Sequence, residues 1–344
     1  MTIIEPSYYA NRVVLGEQLP LETPFSVILD LSERCNFKCS YCFRSGEKDE
    51  SWSFAAAGEL MSPAVFEKAA RQLKAFPQKL KLVSLSGHGE PLCNPHLVDM
   101  VHLLKQLDVA ERIDMHTNAS LLTEDNASRI AQAGFSRIVV SLQGLDAAAY
   151  QRTCGANIDF ERFYNHLKLL YEMKAKELKI HIKIADAAFG NEAVAVEENK
   201  RRFYELFDGI ADSIFVENVV PLWQNIDVKT DKTVNKYTYE CGTVDYCPLV
   251  FYKMFVAPNG QIYPCTNLPP PMSLGSIHDT TLQEAWNSRQ RLDFLKEHLR
   301  LTRHQQRSCK ECFVPFNTVT GSGDILDPYK DGILERLEER TNDA

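Results

Sequence analysis

Short apolar runs alternate with amphipathic stretches over the first two thirds of the chain. Six runs are rich in branched and aromatic apolar residues and have the length of strands buried on both faces. They span 25–30, 81–86, 112–117, 137–142, 179–185 and 213–219. Apolar residues at helical spacing predict helices between them, including 123–133, 159–176 and 195–208. This alternation predicts an α/β fold, a partial (β/α)6 TIM-like barrel with parallel strands and right-handed crossovers.

Two residue pairs mark expected helix starts. In Ser62-Pro63 and Asn94-Pro95, a capping side chain stands before a proline, which suits the first helical turn. We therefore expect Ser62 and Asn94 to cap the helices that follow.

The alternation stops after Pro221, and the chain then predicts a small β-hairpin and helix domain. An apolar run over 249–257 is followed by Pro258-Asn259-Gly260 and by 261–265, which is typical of a hairpin. Thr281 and Glu284 form a capping box for one long helix that carries apolar residues as far as 299.

The last residues carry a short amphipathic pattern at 333–337, which we expect to pack across the barrel. The predicted organisation is an N-terminal extension over 1–22, a barrel over 23–222, the small domain over 223–320 and a tail over 321–344.

Composition narrows the classes of partner. The chain has 344 residues, 44% hydrophobic and 24% charged, with a net charge of −8. This charge favours neither nucleic acid nor an anionic membrane as partner, so a small-molecule substrate is expected.

There is no signal peptide and no apolar run of about 18 residues, which predicts a cytoplasmic protein. Ten cysteines in a reducing compartment indicate metal binding before disulfides.

Three of these cysteines lie close together. Cys35, Cys39 and Cys42 follow the first strand, at the barrel mouth where active sites of such folds are built. Three thiolates can hold three irons of a cubane and leave one iron open, whereas structural zinc sites normally have four ligands. A zinc knuckle or three incidental buried thiols is the alternative.

A glycine-rich turn, Ser86-Gly87-His88-Gly89-Glu90-Pro91, follows the second strand. Its glycines would let the backbone approach a ligand closely. Alone the turn is weak evidence, but beside the three-cysteine loop it is strong evidence for a cofactor site.

The Cys-x3-Cys-x2-Cys loop, this turn, His116-Thr117-Asn118 and Ser141-Leu142-Gln143-Gly144 together resemble the radical S-adenosylmethionine superfamily over roughly 23–222. The resemblance implies that S-adenosylmethionine binds the open iron of a [4Fe-4S] cluster. It also implies that a 5′-deoxyadenosyl radical abstracts a substrate hydrogen, with electrons supplied by a reductant such as flavodoxin or ferredoxin.

The resemblance assigns cofactor contacts to further residues. The turn Gly87, His88, Gly89 and Glu90 would meet the methionine amino group, and Tyr41 would lie near the adenine. The strand ends carry polar residues that could bond the ribose or methionine, and one arginine could pair with the methionine carboxylate. These residues are Thr117, Asn118, Ser141 and Arg152. Turn caps and a surface charge are the alternatives.

A second set of cysteines lies in the small domain, at Cys247, Cys265, Cys309 and Cys312. By ligand type alone, zinc and an iron-sulfur cluster are comparable. The spacing Cys-x12-Gly-x4-Cys resembles the Twitch form of the SPASM domain over about 245–315. That resemblance implies a second, auxiliary [4Fe-4S] cluster with all its irons ligated by protein, suited to relay electrons.

The function that this combination favours is oxidation of an alcohol on a sugar, aminocyclitol or similar metabolite, as in 2-deoxy-scyllo-inosamine dehydrogenase-like enzymes. The auxiliary cluster would accept an electron. A general base is also needed, and candidates at the ends of strands five and six are Asp186, Glu217, His181 and Lys183.

Other functions stay open. A sugar epimerase could use Cys241 as hydrogen donor, although Cys241 could equally be a spare thiol or a fifth ligand. Peptide or protein modification is common among relatives, but 1–22 is too short for a peptide-recognition domain. A GTP cyclase is not expected, because the chain ends in Asn342-Asp343-Ala344 without a double glycine. A non-enzymatic metal-binding scaffold is the last alternative. Cys93 and Cys154 are expected only to pack.

Overall fold

The computed structural model describes residues 2–7, 12–47, 52–190, 192–228, 233–242, 244–306, 308–319 and 321–342. Among these residues, no helix combines the length and the apolar character needed to cross a bilayer.

A single sheet organises the described part of the chain. Its strands are β1 Ile3–Ile4, β2 Ser26–Leu29, β3 Leu82–Ser84, β4 Ile113–Thr117, β5 Arg137–Leu142, β6 Lys179–Ala185, β7 Ser213–Glu217, β8 Lys253–Val256 and β9 Ile262–Tyr263. The order across the sheet is β1-β7-β6-β5-β4-β3-β2-β8-β9. Among these nine described strands, only β8 and β9 pair in antiparallel fashion. The six predicted strands are confirmed as β2 to β7, and they form an open, curved sheet rather than a closed barrel.

The alternation of side chains along each strand separates the core from the interior of the curved sheet. In β6, Ile180, Ile182 and Ile184 are buried in the apolar core. His181 and Lys183 alternate with them and therefore lie on the other face of the sheet. The interior of the curved sheet is consequently polar.

The helices are α1 Leu15–Gln18, α2 Pro63–Gln72, α3 Leu97–Leu107, α4 Glu124–Gln132, α5 Ala147–Cys154, α6 Phe160–Glu172, α7 Ala193–Phe207, α8 Leu249–Tyr252, α9 Leu282–Asn287, α10 Arg289–Arg300, α11 Val314–Thr318 and α12 Lys330–Asn342. The cap at Ser62 is confirmed, since its side chain accepts from Val65 N at 3.2 Å. The Thr281–Glu284 capping box is also confirmed.

The predicted cap at Asn94 is wrong. Helix α3 begins at Leu97 with His96 at its N-cap. Asn94 is instead 2% exposed, and its Nδ2 donates to the carbonyls of Leu31 at 3.1 Å and Met61 at 2.9 Å. A buried amide here serves two distant backbone segments, which no local pattern indicates.

The small domain extends the sheet of the barrel. The predicted hairpin is confirmed as β8 and β9, but its first residues form helix α8, because a short apolar run suits either a buried helix or a strand. β8 pairs in parallel with β2, with Ser26 opposite Lys253. The predicted long helix is divided at Ser288, whose side chain caps α10 through Arg291 N at 3.3 Å.

The tail does not pack across the barrel as predicted. Helix α12 packs on α10 and α1, and its Ile333 and Leu337 are buried with Leu15 and Leu299 in a separate apolar cluster. Arg336 donates to the Leu19 carbonyl at 2.6 Å. The amphipathic pattern identified the buried face of the helix but not its partner.

Replacement of Asn94 by Ala should lower the free energy of unfolding by about 1–3 kcal/mol, because the buried Met61 carbonyl loses its amide donor. Denaturant unfolding measures this change. Asn165→Ala is the matched control, since Asn165 is exposed on α6, and we expect a change within about 0.5 kcal/mol. Equal effects of the two variants would contradict the assigned role of Asn94.

Candidate cofactor and substrate sites

The loop after β2 brings Cys35, Cys39 and Cys42 to the carboxyl end of the sheet, and all three thiols are half-buried. Burial raises the pKa of Cys35 to about 11. The pKa of Cys39 is raised by a hydrogen bond with the Cys154 thiol, by burial and by the nearby Cys42 and Cys35. Three adjacent thiols that repel one another as thiolates fit a site where metal binding replaces their protons.

The end of helix α5 holds this loop in place. The amide of Lys38 donates to the Cys154 carbonyl at 3.1 Å, and the amide of Ser40 donates to the Thr153 carbonyl at 2.9 Å. Cys154 is 2% exposed, as its expected packing role requires. Its contact with Cys39 was not predicted.

The glycine-rich turn after β3 packs directly on the loop after β2. A Cβ on Gly87 would lie 1.9 Å from Asp30 Cγ, and one on Gly89 would lie 2.1 Å from the Ser32 carbonyl oxygen. Neither position has room for any other residue. These glycines were expected to admit a ligand, and in the structure they admit the segment that leads into the cysteine loop.

Hydrogen bonds and an ion pair also stabilise the contact between the glycine-rich turn and the loop after β2. Asp30 Oδ2 accepts from His88 N at 3.1 Å, and Arg44 Nε donates to the His88 carbonyl at 2.8 Å. Arg44 also pairs with Glu33 Oε2 at 3.1 Å. Burial raises the pKa of Asp30 to about 7 and lowers that of His88 to about 4. Arg44 stands two residues after Cys42, so it ties the cysteine loop to the turn.

Glu90 connects the turn to the end of β4. Its carboxylate accepts from Thr117 Oγ1 at 2.5 Å, Asn118 N at 2.7 Å and Leu92 N at 3.0 Å. It is 2% exposed, and burial raises its pKa to about 7. Glu90 therefore fixes the two neighbouring strand ends, Thr117 and Asn118 included, relative to the turn.

These segments enclose a cavity of about 190 Å³, which we call the small cavity. Its walls include ten residues assigned to metal or cofactor from the sequence, namely Cys35, Cys39, Cys42, Gly87, His88, Gly89, Glu90, Thr117, Asn118 and Ser141. Tyr41 lies beside it and donates a hydrogen bond to Gln143, another wall residue. Arg152 is not among the described wall residues, because it is exposed on α5.

The four cysteines of the small domain converge. The pKa values of Cys265, Cys309 and Cys312 are each raised to about 12, first by burial and then by neighbouring thiols of the set. The nearby Cys247 thiol contributes to the raised pKa of each of these three cysteines. Its own pKa is raised by burial. Four mutually close thiols, of which Cys265 and Cys312 are buried and Cys247 and Cys309 half-buried, fit a fully ligated metal centre.

Residues that the sequence did not single out support this second cysteine set. Arg303 is 3% exposed, and its Nη1 donates to the Cys312 carbonyl at 2.8 Å. His298 Nε2 accepts from Cys247 N at 3.2 Å, and Asn267 Oδ1 accepts from Cys312 Sγ at 3.4 Å. Such partners orient metal ligands and tune their basicity.

A larger cavity of about 570 Å³, the large cavity, occupies the interior of the curved sheet. Ser86, Gly87, His88 and His116 line both cavities. His88 Nε2 donates to the carbonyl of Thr266 at 2.9 Å. Thr266 lines the large cavity and directly follows Cys265. The wall between the cavities is therefore joined by one hydrogen bond to the second cysteine set.

Each of the candidate bases named from the sequence already has a polar partner in the structure. Glu217 pairs with Lys183 at 2.5 Å, and the nearby cations Lys183 and Lys236 lower its pKa to about 2 although burial opposes them. Asp186 Oδ1 accepts from the amides of Ala187 and Val219, both at 2.8 Å. His181 Nδ1 bonds Ser213 Oγ at 2.8 Å.

None of these candidate bases is among the described residues that line the large cavity, and neither is Cys241. His116, which the sequence did not mark as a base, lines both cavities. Burial and the cations Lys183, Arg137 and Lys236 lower its pKa well below the ordinary value. It is therefore a neutral imidazole at the junction of the two cavities.

Comparison with known proteins gives two family matches. A model described as the radical SAM superfamily matches residues 29–184, and an iron-sulfur cluster-binding domain, SPASM, matches 247–313. A tungsten-containing aldehyde ferredoxin oxidoreductase cofactor-modifying protein of Pyrococcus furiosus is 28% identical over 67% of this chain and 60% of its own length. A GTP 3′,8-cyclase of Staphylococcus saprophyticus is 32% identical over 38% of this chain and 37% of its own. The chain thus spans 60% or less of these relatives.

Solved structures share the fold. SuiB of Streptococcus suis, bound to S-adenosylmethionine, has a TM-score of 0.60 at 18% identity, with 88% of this chain and 73% of SuiB covered. BtrN in complex with AdoMet and 2-DOIA has a TM-score of 0.53 at 17% identity, with 84% and 92% covered. Native anSMEcpe with AdoMet and Cp18Cys peptide has a TM-score of 0.56 at 16% identity, with 92% and 99% covered.

Replacement of Gly87 by Ala should weaken S-adenosylmethionine binding at least about tenfold, because the new methyl group displaces the Asp30 segment that leads to the cysteine loop. Calorimetry on the anaerobic, iron-loaded protein measures this change, and iron content reports whether the loop still holds metal. Gly242→Ala is the control, since no atom of the described residues lies within 4 Å of a Cβ there. Unchanged binding in Gly87→Ala would contradict the assigned contact.

Proposed function

We propose that this chain, which matches the radical SAM superfamily over 29–184 and the SPASM iron-sulfur domain over 247–313, oxidises an alcohol carbon of a small polar substrate held in the large cavity. The two domains imply S-adenosylmethionine and two [4Fe-4S] clusters as cofactors. We assign Cys35, Cys39 and Cys42 to the cluster that binds S-adenosylmethionine. The four cysteines of the small domain are assigned to the auxiliary cluster.

Bound in these places, the cofactors would supply two things. One is a 5′-deoxyadenosyl radical, which would remove one hydrogen atom from the substrate. The other is an acceptor for one electron. Oxidation of a secondary alcohol to a ketone removes two hydrogens. The hydrogen atom would leave in 5′-deoxyadenosine, so the protein has to take the remaining proton and provide a route for the electron.

The hydrogen bond between His88 and Thr266 carries this proposal. His88 belongs to the wall between the two cavities, and Thr266 adjoins Cys265 of the auxiliary set. A substrate in the large cavity would therefore lie between the radical source and the electron acceptor. The rings of Phe54, Trp223 and Phe255 pack around the His88 imidazole in this wall. Such a wall excludes water from a reactive centre.

His116 is the group we propose to take the hydroxyl proton. It lines both cavities, and its ring has no hydrogen-bond partner among the residues that the structure describes. With its pKa lowered it is unprotonated at neutral pH, as a base must be. Glu217 is less suited, because its carboxylate is held in an ion pair with Lys183 and it is not among the described residues that line the large cavity.

Modification of a peptide is the second candidate. It is favoured by the fold shared with SuiB, also solved bound to precursor peptide SuiA, and with anSMEcpe bound to a peptide. The volume of the large cavity falls in the range of small-molecule sites, so a peptide would place one side chain in it. Epimerisation has less support, because Cys241 lies outside the described walls of that cavity.

Turnover with S-adenosylmethionine, reductant and a library of polar alcohols should give a product two mass units lighter than its substrate, with one 5′-deoxyadenosine per product. Cys265→Ala should still form 5′-deoxyadenosine but should lose most of the product, because the acceptor next to Thr266 is disrupted. Mass spectrometry and chromatography measure both. Cys241→Ala should keep full product. An unchanged mass with deuterium gained from heavy water, abolished in Cys241→Ala, would identify an epimerase instead.

His116→Gln should lower product formation about 100-fold while 5′-deoxyadenosine is still released, because only proton removal is affected. His102→Gln, an exposed site on α3, is the control. A base acts only when unprotonated, so its activity is lost as pH falls through its pKa, which lies below 6.5. The wild-type rate should thus be flat between about pH 6.5 and 8. A rise across that range would contradict the assignment.

A further inference from the structure

The large cavity is cationic although the chain as a whole is not. Among its described walls are five cationic side chains and one carboxylate, namely Arg12, Lys81, Arg112, Lys236, Lys253 and Asp324. The whole chain has a net charge of −8. Positive charge is therefore concentrated in the interior, where the low-dielectric walls strengthen its attraction for an anion.

The carboxylates nearby are already engaged. Asp324 pairs with Arg12 at 2.8 Å, and Lys236 lies 3.8 Å from Glu217, which binds Lys183 more closely. Among the described residues, no carboxylate lies within 4.0 Å of the Lys253 or Lys81 nitrogens. The Lys81 nitrogen lies 3.8 Å from the centre of the Phe25 ring. Lys253 is thus a cavity cation without a carboxylate partner among the described residues.

Lys253 and Arg112 occupy one level of the sheet, which we call the cationic level. Ser26 is opposite both Lys253 and Leu82, and the amide of Val83 donates to the Arg112 carbonyl at 2.9 Å. Ser86, which lines both cavities, follows Leu82 by four residues, roughly 13 Å along an extended chain. The cationic level and the His88–His116 wall therefore lie toward opposite ends of the large cavity.

We propose that the cationic level, centred on Lys253 and Arg112, binds a carboxylate or phosphate group of the substrate. The substrate would then be a hydroxylated acid or a phosphate ester, with its anionic group several bonds from the carbon that reacts beside His116. The position of the reacting carbon rests on the proposed function. Anion binding at Lys253 rests only on the charges and the register.

A second role for Lys253 has to be separated from this one. Cys265 and Cys247 lie close enough to interact electrostatically with Lys253. The lysine could therefore serve only as counter-charge to the auxiliary cysteine set. That role predicts a change in the midpoint potential of the auxiliary cluster when the lysine is replaced, with no change in anion affinity.

Calorimetry on the anaerobic holoenzyme with S-adenosylmethionine and without reductant tests the proposal. The probes are D-glucitol, D-gluconate and D-glucitol 6-phosphate, which share a polyol chain and differ in charge. At least one anion should bind about tenfold or more tightly than glucitol, and its affinity should fall as salt is raised. The tighter of the two anions identifies a carboxylate or a phosphate as the preferred group.

Lys253→Gln and Arg112→Gln should each reduce this preference about tenfold or more, whereas Lys74→Gln, an exposed control, should keep it. Iron content and the visible spectrum show whether each variant retains both clusters. The proposal is overturned if neither anion binds better than glucitol, or if both cavity variants keep wild-type selectivity. A shift only in the auxiliary midpoint potential on Lys253→Gln overturns it as well.

Failure of the proposed function has a different signature. If reductant and S-adenosylmethionine yield no 5′-deoxyadenosine under any condition while the anion preference holds, the radical reaction is contradicted and the anion site stands. If 5′-deoxyadenosine forms but no anion preference exists, the anion site alone is contradicted.

Discussion

Gly87 and Gly89 let the turn after β3 lie against the loop that follows β2, and the site depends on that contact. A methyl group at either position would overlap Asp30 or the Ser32 carbonyl. With the turn in place, Arg44 can reach the His88 carbonyl, and Glu90 can reach the end of β4. Steric closeness at two residues thus determines where three strand ends and the cysteine loop meet.

The same turn joins the two halves of the molecule. β8 of the small domain pairs with β2, the strand that leads into the cysteine loop, so both halves share one sheet. His88 then bonds Thr266, beside Cys265. Since His88 also lines both cavities, a single side chain adjoins the proposed radical source, the proposed substrate site and the auxiliary cysteine set. This arrangement is what an enzyme needs if it removes a hydrogen atom and an electron from the same substrate.

The sequence predicted the strands and helix caps that depend on local pattern. It did not predict the features that depend on contacts between distant segments. The six strands follow from runs of apolar residues, and Ser62 and Thr281 cap as expected because caps are local. Asn94, the break at Ser288 and the partner of α12 depend on packing between segments far apart in the chain. Cysteine spacing marked the metal candidates, but no local pattern indicates that His116 could act as a base or that Arg44 ties the cysteine loop to the turn. Their roles come from Lys183 and His88, which are distant in sequence.

The most direct measurement is electron paramagnetic resonance of the holoenzyme with both clusters reduced. If His88 and Thr266 bring the auxiliary cysteine set beside the cavity that adjoins the first cluster, the two spins should interact. The spectrum of the first cluster should then show broadening and faster relaxation, both lost in Cys265→Ala. Two independent signals, with the first cluster unchanged by that substitution, would contradict the proposal that electrons pass across this wall.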